Sequence, residues 1–206
     1  MKKILLGVST MLLSVVGFAQ GNVSDVDQTG ILNGALVAQV GSGNGSNVDQ
    51  VGLLNGAIVL QNGSDNDAYI GQLGALNLGV IAQDGVSNNA AIVQLGGLNY
   101  SSIVQSGNDN GALSVQLFVG NSSTIVQNGD NNSAYNFQGS WFNTSNINQN
   151  GYENTAATLQ LGADTFSDIT QFGLFNFAET LQVGEDHIST INQWGIGNVA
   201  LVYQSN

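Results

Sequence analysis

Residues 28–39 read Gln-Thr-Gly-Ile-Leu-Asn-Gly-Ala-Leu-Val-Ala-Gln. The two Gln residues that bound this stretch stand eleven positions apart, and the same interval continues without a slip to the end of the sequence. A short period held over so many copies indicates a repeat protein in which each unit stacks on its neighbours. The Gln residues of the series are Gln28, Gln39, Gln50, Gln61, Gln72, Gln83, Gln94, Gln105, Gln116, Gln127, Gln138, Gln149, Gln160, Gln171, Gln182, Gln193 and Gln204.

Four further columns keep the same period. Gly stands two positions after most of the Gln residues, a small residue stands seven after, and Val or Ile dominates nine after. Asn stands five after, with Thr165 and His187 as the exceptions. The Asn column consists of Asn33, Asn44, Asn55, Asn66, Asn77, Asn88, Asn99, Asn110, Asn121, Asn132, Asn143, Asn154, Asn176 and Asn198.

The spacing of these columns predicts one strand and one turn in each unit of the repeat. The small residue, Val or Ile, Gln and Gly lie two positions apart, as side chains on one face of a β-strand do. The stretch between this Gly and the next small residue is rich in Gly, Asn, Asp and Ser, which tolerate the tight and left-handed conformations of turns. From Ala90 to Ala200 the small column alternates between Ala and Ser, so the structural repeat is two Gln intervals long and contains two unlike strands.

The sequence therefore predicts an all-β fold, a two-sided parallel β-solenoid of the cross-β type over residues 20–206. It would have about eight coils of two strand-turn units each and, at ~4.8 Å per coil, a length of roughly 40 Å. Ala, Ser, Val and Ile would form a narrow dry core. The Gln and Asn columns would form amide ladders, since each amide both donates and accepts hydrogen bonds.

The first nineteen residues have the pattern of a secretory signal peptide. Lys2 and Lys3 precede an apolar run, and Gly17 and Ala19 favour cleavage after Ala19. Without this segment the chain has no Lys, Arg, Cys or Pro. The acidic chain that is left has no Lys or Arg to neutralise phosphates, which excludes nucleic acid and an anionic membrane surface as partners. No membrane insertion is expected after the signal peptide is cleaved.

Neither a cofactor, a metal nor a catalytic activity is expected. The Asp residues do not form the fixed columns of a calcium-binding β-roll. A β-helix polysaccharide lyase would need an Arg or Lys base, which residues 20–206 lack. An ice-binding solenoid would need a regular Thr array, and the outward Thr residues are scattered.

In its Gln, Gly, Asn and small-residue columns the sequence resembles the curlin family, the subunits of bacterial curli amyloid fibres. The family signature, Gln-x-Gly-x-x-Asn-x-Ala-x-x-x-Gln, occurs from Gln28 to Gln39 and, with small variations, from Gln72, Gln149 and Gln193. The resemblance implies a secreted fibre subunit of the extracellular matrix that acts in adhesion and biofilm formation. It also implies a nucleator subunit and curli-type secretion and accessory proteins as partners. The alternatives are that this chain is itself the nucleator, or a non-polymerising secreted β-solenoid adhesin.

Two expectations about assembly follow from the pattern. No cap is evident at either end of the repeat, so each end should template the opposite end of another copy and give a head-to-tail homopolymer. One sheet should also present an outward apolar stripe, which is a candidate surface for lateral contact between filaments. Its representative residues are Leu95, Leu117 and Leu161.

Overall fold

A computed structural model describes residues 21–206, and the predicted signal peptide and its cleavage site lie outside the described residues. The described chain consists of strands and turns, and it contains no helix. The strands are β1 Val23–Ile31, β2 Gly34–Ser42, β3 Gly45–Leu53, β4 Gly56–Ser64, β5 Asp67–Ala75, β6 Leu78–Val86, β7 Asn89–Gly97, β8 Tyr100–Asn108, β9 Gly111–Val119, β10 Ser122–Asp130, β11 Ser133–Gln138, β12 Thr144–Tyr152, β13 Thr155–Gln160, β14 Phe166–Leu174, β15 Phe177–Val183, β16 Ile188–Ile196 and β17 Val199–Ser205.

The strands form two parallel sheets. The odd sheet has nine strands in the order β1-β3-β5-β7-β9-β11-β13-β15-β17. The even sheet has eight strands in the order β2-β4-β6-β8-β10-β12-β14-β16. Every strand pairs in register with the equivalent strand one coil away, as in the pairing of Gln72 with Gln94. Columns of identical residues are therefore stacked along the solenoid, and the predicted β-solenoid with two strands in each coil is confirmed.

Successive strands are joined by tight turns at two edges. We call the edge formed by the turns after odd strands the odd edge, and the other the even edge. In nearly every turn the residue before the Asn column has a positive φ, for example 57° at Leu54 and 59° at Leu76. The backbone N–H of Leu54 donates to the carbonyl of Ile31 in the preceding coil at 3.0 Å. This coil-to-coil hydrogen bond holds even Leu in a conformation that Gly, Asn and Asp usually occupy.

The Gly column is required by the close approach of neighbouring coils. Gly85 has a φ of +133°, and a Cβ placed on it would overlap the carbonyl oxygen of Gly107 one coil on. The same overlap with the next Gly recurs on the odd edge, as at Gly52. The spacing had placed this Gly column on the inward face of the strands without giving a reason for Gly, and the overlap with the neighbouring coil supplies that reason.

The two exceptions in the Gly column coincide with an irregular part of the odd edge. Phe118 and Ser140 occupy these positions, and β11 and β13 end early, at Gln138 and Gln160. The Phe118 ring packs edge-on against Trp141, with 5.6 Å between the ring centroids. An aromatic contact thus takes the place of the stacked Gly residues in these coils.

The core contains polar residues beyond the Ala, Ser, Val and Ile that the sequence predicted. The inward Ile residues of the even sheet are buried throughout, for example Ile103 and Ile147. In the odd sheet the same column changes after β7 to the buried residues Ser114, Asn136, Thr158 and Thr180. Over the whole sequence Val and Ile dominate this column, and its polar part becomes visible only when the two sheets are considered separately.

Hydrogen bonds between the sheets satisfy some of these polar groups. The Thr158 and Ser167 hydroxyls are 3.2 Å apart, and those of Thr180 and Ser189 are 3.1 Å apart. Asn136 is 2% exposed. Neither its Nδ2 nor its Oδ1 has a hydrogen-bond partner among the described residues. Asn136 is therefore a weak point of the core, because an unpaired buried amide destabilises the folded state.

We expect Gly85→Ala to destabilise the solenoid strongly. The backbone conformation alone would cost ~1–3 kcal/mol for a residue with a Cβ, and the overlap with Gly107 adds to this cost. Gly111→Ala is the matched control, because a Cβ there meets no atom within 4 Å. Guanidinium unfolding of the monomer, followed by circular dichroism, measures both variants. Equal unfolding midpoints would contradict the close-approach argument.

We expect Asn136→Thr to stabilise the protein by ~1 kcal/mol or more, because it removes an unpaired buried amide. It also places a hydroxyl opposite Ser145, at the same separation in the chain as the Thr158–Ser167 pair. Asn136→Ala is the comparison, since it removes the amide without adding the hydroxyl. The measurement is the same guanidinium midpoint, and a lower midpoint for Asn136→Thr than for wild type would refute the assignment.

Candidate functional site

The Gln residues form two continuous ladders, one in each sheet. From Gln28 to Gln182, each Gln Nε2 donates to the Oε1 of the Gln one coil later, at distances from 2.6 to 3.0 Å. The same Nε2 group also donates across the core to the carbonyl of the first residue of the preceding strand, as from Gln94 to Leu78 at 3.1 Å. Each amide therefore joins two coils within a sheet and also joins the two sheets.

The Asn residues form a second pair of ladders at the edges. The backbone N–H and the Nδ2 of Asn66 both donate to Asn44 Oδ1, at 3.1 and 3.0 Å. Asn66 Nδ2 also donates to the carbonyl of Gly85 at 2.9 Å. This carbonyl belongs to the Gly column, so the Asn ladder fixes the turn and the close approach of the coils together.

The structure brings the predicted ladder residues together as columns. From Gln50 to Gln193 every Gln of the series is buried, and Gln28 at the β1 end is exposed. The two exceptions in the Asn column both lie on the odd edge. Thr165 replaces the amide by donating its hydroxyl to Asn143 Oδ1 at 2.7 Å, and His187 Nε2 contacts the Val183 carbonyl at 3.0 Å.

Sequence reasoning missed one member of the Asn ladder. Asn22 Oδ1 accepts a hydrogen bond from the backbone N–H of Asn44 at 2.9 Å. Asn22 stands eleven positions before Asn33, and this spacing would have identified it as a member of the Asn series.

The end strands form the second part of the site. β1 and β2 are the outer strands at one end of the described solenoid, and β16 and β17 are the outer strands at the other. Their side chains are strongly exposed compared with the central coils, with Val199 at 70% and Leu201 at 67%. Unpaired strand edges with apolar side chains are surfaces to which another β-strand can add.

The two ends differ because the ladders have a direction. Gln Nε2 groups donate toward higher residue numbers, so Gln193 and Gln204 are the last donors at the β16–β17 end. Asn Oδ1 groups accept from higher residue numbers, and Asn198 Oδ1 is the last acceptor of its column among residues 21–206. The β16–β17 end therefore presents the amide donors of the Gln ladders, and the β1–β2 end presents their acceptors.

The predicted lateral residues lie on the outward face of the odd sheet. Leu95 and Leu117 are in-register neighbours on β7 and β9. Leu95 and Leu161 are exposed, and Leu117 is half-buried. The three Leu residues thus share one column of this face.

A second apolar surface, on the odd edge, was missed by sequence reasoning. Leu32, Leu54, Leu76 and Leu98 stand one coil apart in the left-handed turn position, and all four are exposed. Trp141 and Phe142 continue this surface. The regular recurrence of the four Leu residues at every second Gln interval was the available signal, but a turn position was expected to be polar.

Acidic side chains follow the even edge instead. Asp65, Asp109 and Glu153 occupy its left-handed turn positions.

On the even sheet, partial burial raises the pKa of Asp168 above the ordinary value for Asp. On the odd sheet, burial and the nearby Asp49 carboxylate raise the pKa of Tyr69.

No helix among the described residues is long and apolar enough to cross a membrane. Within residues 21–206 no three His, Cys, Asp or Glu side chains are grouped so that they could hold a metal ion.

The fold and its ladders define an in-register, two-sheet parallel β-solenoid. The family model of the curlin associated repeat matches residues 47–74, which cover most of β3, all of β4 and most of β5. The match confirms the resemblance to the curlin family, and the same columns continue through the described chain on both sides of the matched segment. No curated protein matches the chain.

Proposed function

We propose that this protein is a secreted structural subunit that polymerises end to end into curli-like amyloid fibres of the extracellular matrix. Curlin repeats themselves indicate a curli-type amyloid subunit. The observation that carries the proposal is the pair of exposed end strands, β1–β2 and β16–β17, which present the two complementary ends of the same amide ladders. Fibres of this kind would serve adhesion and biofilm formation at the cell surface.

The end surfaces favour open polymers over closed oligomers. The β16–β17 end differs from the β1–β2 end, so a contact between them is head to tail and leaves both outer ends unoccupied. Each added copy would extend the strand hydrogen bonds and the amide ladders that already hold the subunit together. Growth would therefore use the interactions of the fold itself, and no cofactor or enzymatic step is required.

The proposal includes partners that the family resemblance implies. Parallel pairing between distant segments forms slowly, so a nucleator subunit would supply a first template. Curli-type secretion and accessory proteins would keep the chain unfolded until it reaches the outside of the cell. The acidic character of residues 20–206 would also oppose premature association between unfolded chains.

We expect residues 20–206, diluted from denaturant, to form unbranched filaments after a lag phase. Sonicated filaments added as seeds should remove the lag, because a seed end supplies the template that nucleation otherwise provides. Time-resolved negative-stain electron microscopy measures both effects. Discrete particles about 40 Å long that never elongate, with or without seeds, would refute polymerisation and indicate a non-polymerising surface protein.

A charge placed in the β16–β17 end provides a matched pair of variants for the same experiment. Ala200 faces inward on β17, so Ala200→Asp would bury an unpaired carboxylate once another copy covers this end. Ser205 on the same strand is exposed, and Ser205→Asp adds the same charge in solvent. Seeded elongation should fall at least tenfold for Ala200→Asp and stay near the wild-type rate for Ser205→Asp.

We also propose that the outward Leu column of the odd sheet mediates lateral association of filaments. The triple variant Leu95→Thr, Leu117→Thr, Leu161→Thr should still form filaments but give thinner bundles, because exposed apolar area is lost while the ladders are intact. Val104→Thr with Val126→Thr on the even sheet is the control. Bundle widths in electron micrographs that are unchanged for the triple variant would rule out this role.

A further inference from the structure

The number of strands determines how two copies can stack. The described chain has an odd number of strands, so the two sheets are unequal, with nine and eight members. At the β16–β17 end the even sheet is one strand shorter than the odd sheet. If a second copy were added without rotation, its β1 would cover β17, and one strand would be missing between β16 and its β2. Such a gap would leave backbone groups and core side chains uncovered.

A half-turn about the solenoid axis removes the gap. The β1 of the second copy then lies on β16, and its β2 lies on β17, so the spiral of strands continues without interruption. The ladder columns also continue, because Gln193 would face Gln28 of the next copy and Gln204 would face its Gln39. Asn198 Oδ1 would likewise face the backbone N–H of Asn33, in the pattern that joins Asn176 to Asn198 within one copy.

The outward faces of the sheets support this arrangement independently. The odd sheet is polar at its beginning, with Asp25 and Asp27 on β1, and apolar at its end, with Leu201 and Tyr203 on β17. The even sheet changes in the opposite sense. Its outward residues begin with Leu36, Ala38 and Val40 on β2 and include Asn146, Asn148, Thr190 and Asn192 on later strands.

A half-turn therefore joins like faces. The apolar end of the odd sheet would continue into the apolar beginning of the next copy's even sheet, with Leu201 on Leu36. The polar end of the even sheet would continue into the polar beginning of the odd sheet, with Thr190 on Asp25. Without rotation, Leu201 and Tyr203 would stack on Asp25 and Asp27. The stacked Phe172–Trp194 pair, whose ring centroids are 4.6 Å apart, interrupts the polar outward residues at this end of the even sheet.

The turn residues of the two edges also change in polarity near the β16–β17 end. The odd edge is apolar from Ile31 to Phe142 and then becomes acidic, with Asp164 and Asp186 in its last turns. The left-handed turn positions of the even edge are polar or Gly up to Glu153 and include Asp65 and Asp109, and its last two turns then contain exposed apolar residues. These are Leu174, Phe175 and Ile196. After a half-turn the apolar end of the even edge would meet the apolar beginning of the odd edge.

We infer that successive copies in the filament are related by a half-turn, with β1 of one copy paired to β16 of its neighbour and β2 paired to β17. This inference rests on the proposed function, and it specifies how the two ends join. Each side of the filament would then alternate between apolar and polar stretches one subunit long, on the sheet faces and on the edges.

Pairs of introduced cysteines can distinguish the two arrangements, since the chain has no natural Cys. Residues facing each other on adjacent strands are ~4.8 Å apart, within the Cα separation that a disulfide spans. A half-turn predicts disulfides between subunits for Asp25→Cys with Thr190→Cys and, independently, for Leu36→Cys with Leu201→Cys. Stacking without rotation predicts one for Asp25→Cys with Leu201→Cys.

The filaments of each double variant are oxidised, dissolved in denaturant and separated on a non-reducing gel, with the single-Cys variants as controls. The expected result is covalent multimers for both half-turn pairs and only monomer, or dimer at the level of the controls, for the third pair. Multimers from the third pair alone, or filaments in which none of the pairs links, would overturn the half-turn. If wild-type protein forms no filaments, the proposed function fails, and the inference fails with it.

Discussion

The buried Gln amide is the group on which the rest of the structure depends. A primary amide placed in a core destabilises the fold unless its donors and its acceptor are paired. Here each Gln is paired by the Gln one coil away and by the first carbonyl of a strand in the opposite sheet, as Gln94 is by Gln116 and Leu78. A slip of one residue would turn every Gln outward. The coil length, the register and the distance between the sheets are therefore fixed by one repeated set of hydrogen bonds.

The ladders impose a close approach that determines the turns. Asn Nδ2 groups bind the carbonyls of the Gly column, and these carbonyls lie where a Cβ on the neighbouring Gly would be. Only Gly satisfies this geometry without moving a coil. The left-handed turn position directly before the Asn column is less restricted in residue type, because a backbone hydrogen bond to the preceding coil holds its backbone in that conformation. Leu and Phe can therefore occupy it, and the edges can differ in chemistry while their backbone stays uniform.

A periodic fold of this kind has no natural end. The hydrogen bonds that join β7 to β9 are of the same type as those that an end strand could make with another molecule. In the proposed filament, folding and assembly would depend on the same interaction, because the inward columns cannot distinguish a neighbouring coil from a neighbouring subunit. The outward residues take no part in the ladders and are free to vary along the axis. They are the part of the molecule in which the orientation of a neighbour can be specified.

The sequence by itself determined the repeat, the strand-and-turn unit, the inward columns and both amide ladders, because each of these depends on a regular spacing along the chain. Asn22 was missed only because it precedes the first Gln of the series. The tertiary structure alone showed the polar column of Ser114, Asn136, Thr158 and Thr180, since a core column has to be divided between two sheets before its change is visible. It alone showed the exposed Leu edge and the overlap that demands Gly. Both are set by contacts between neighbouring coils, which local preferences for turns and strands do not describe.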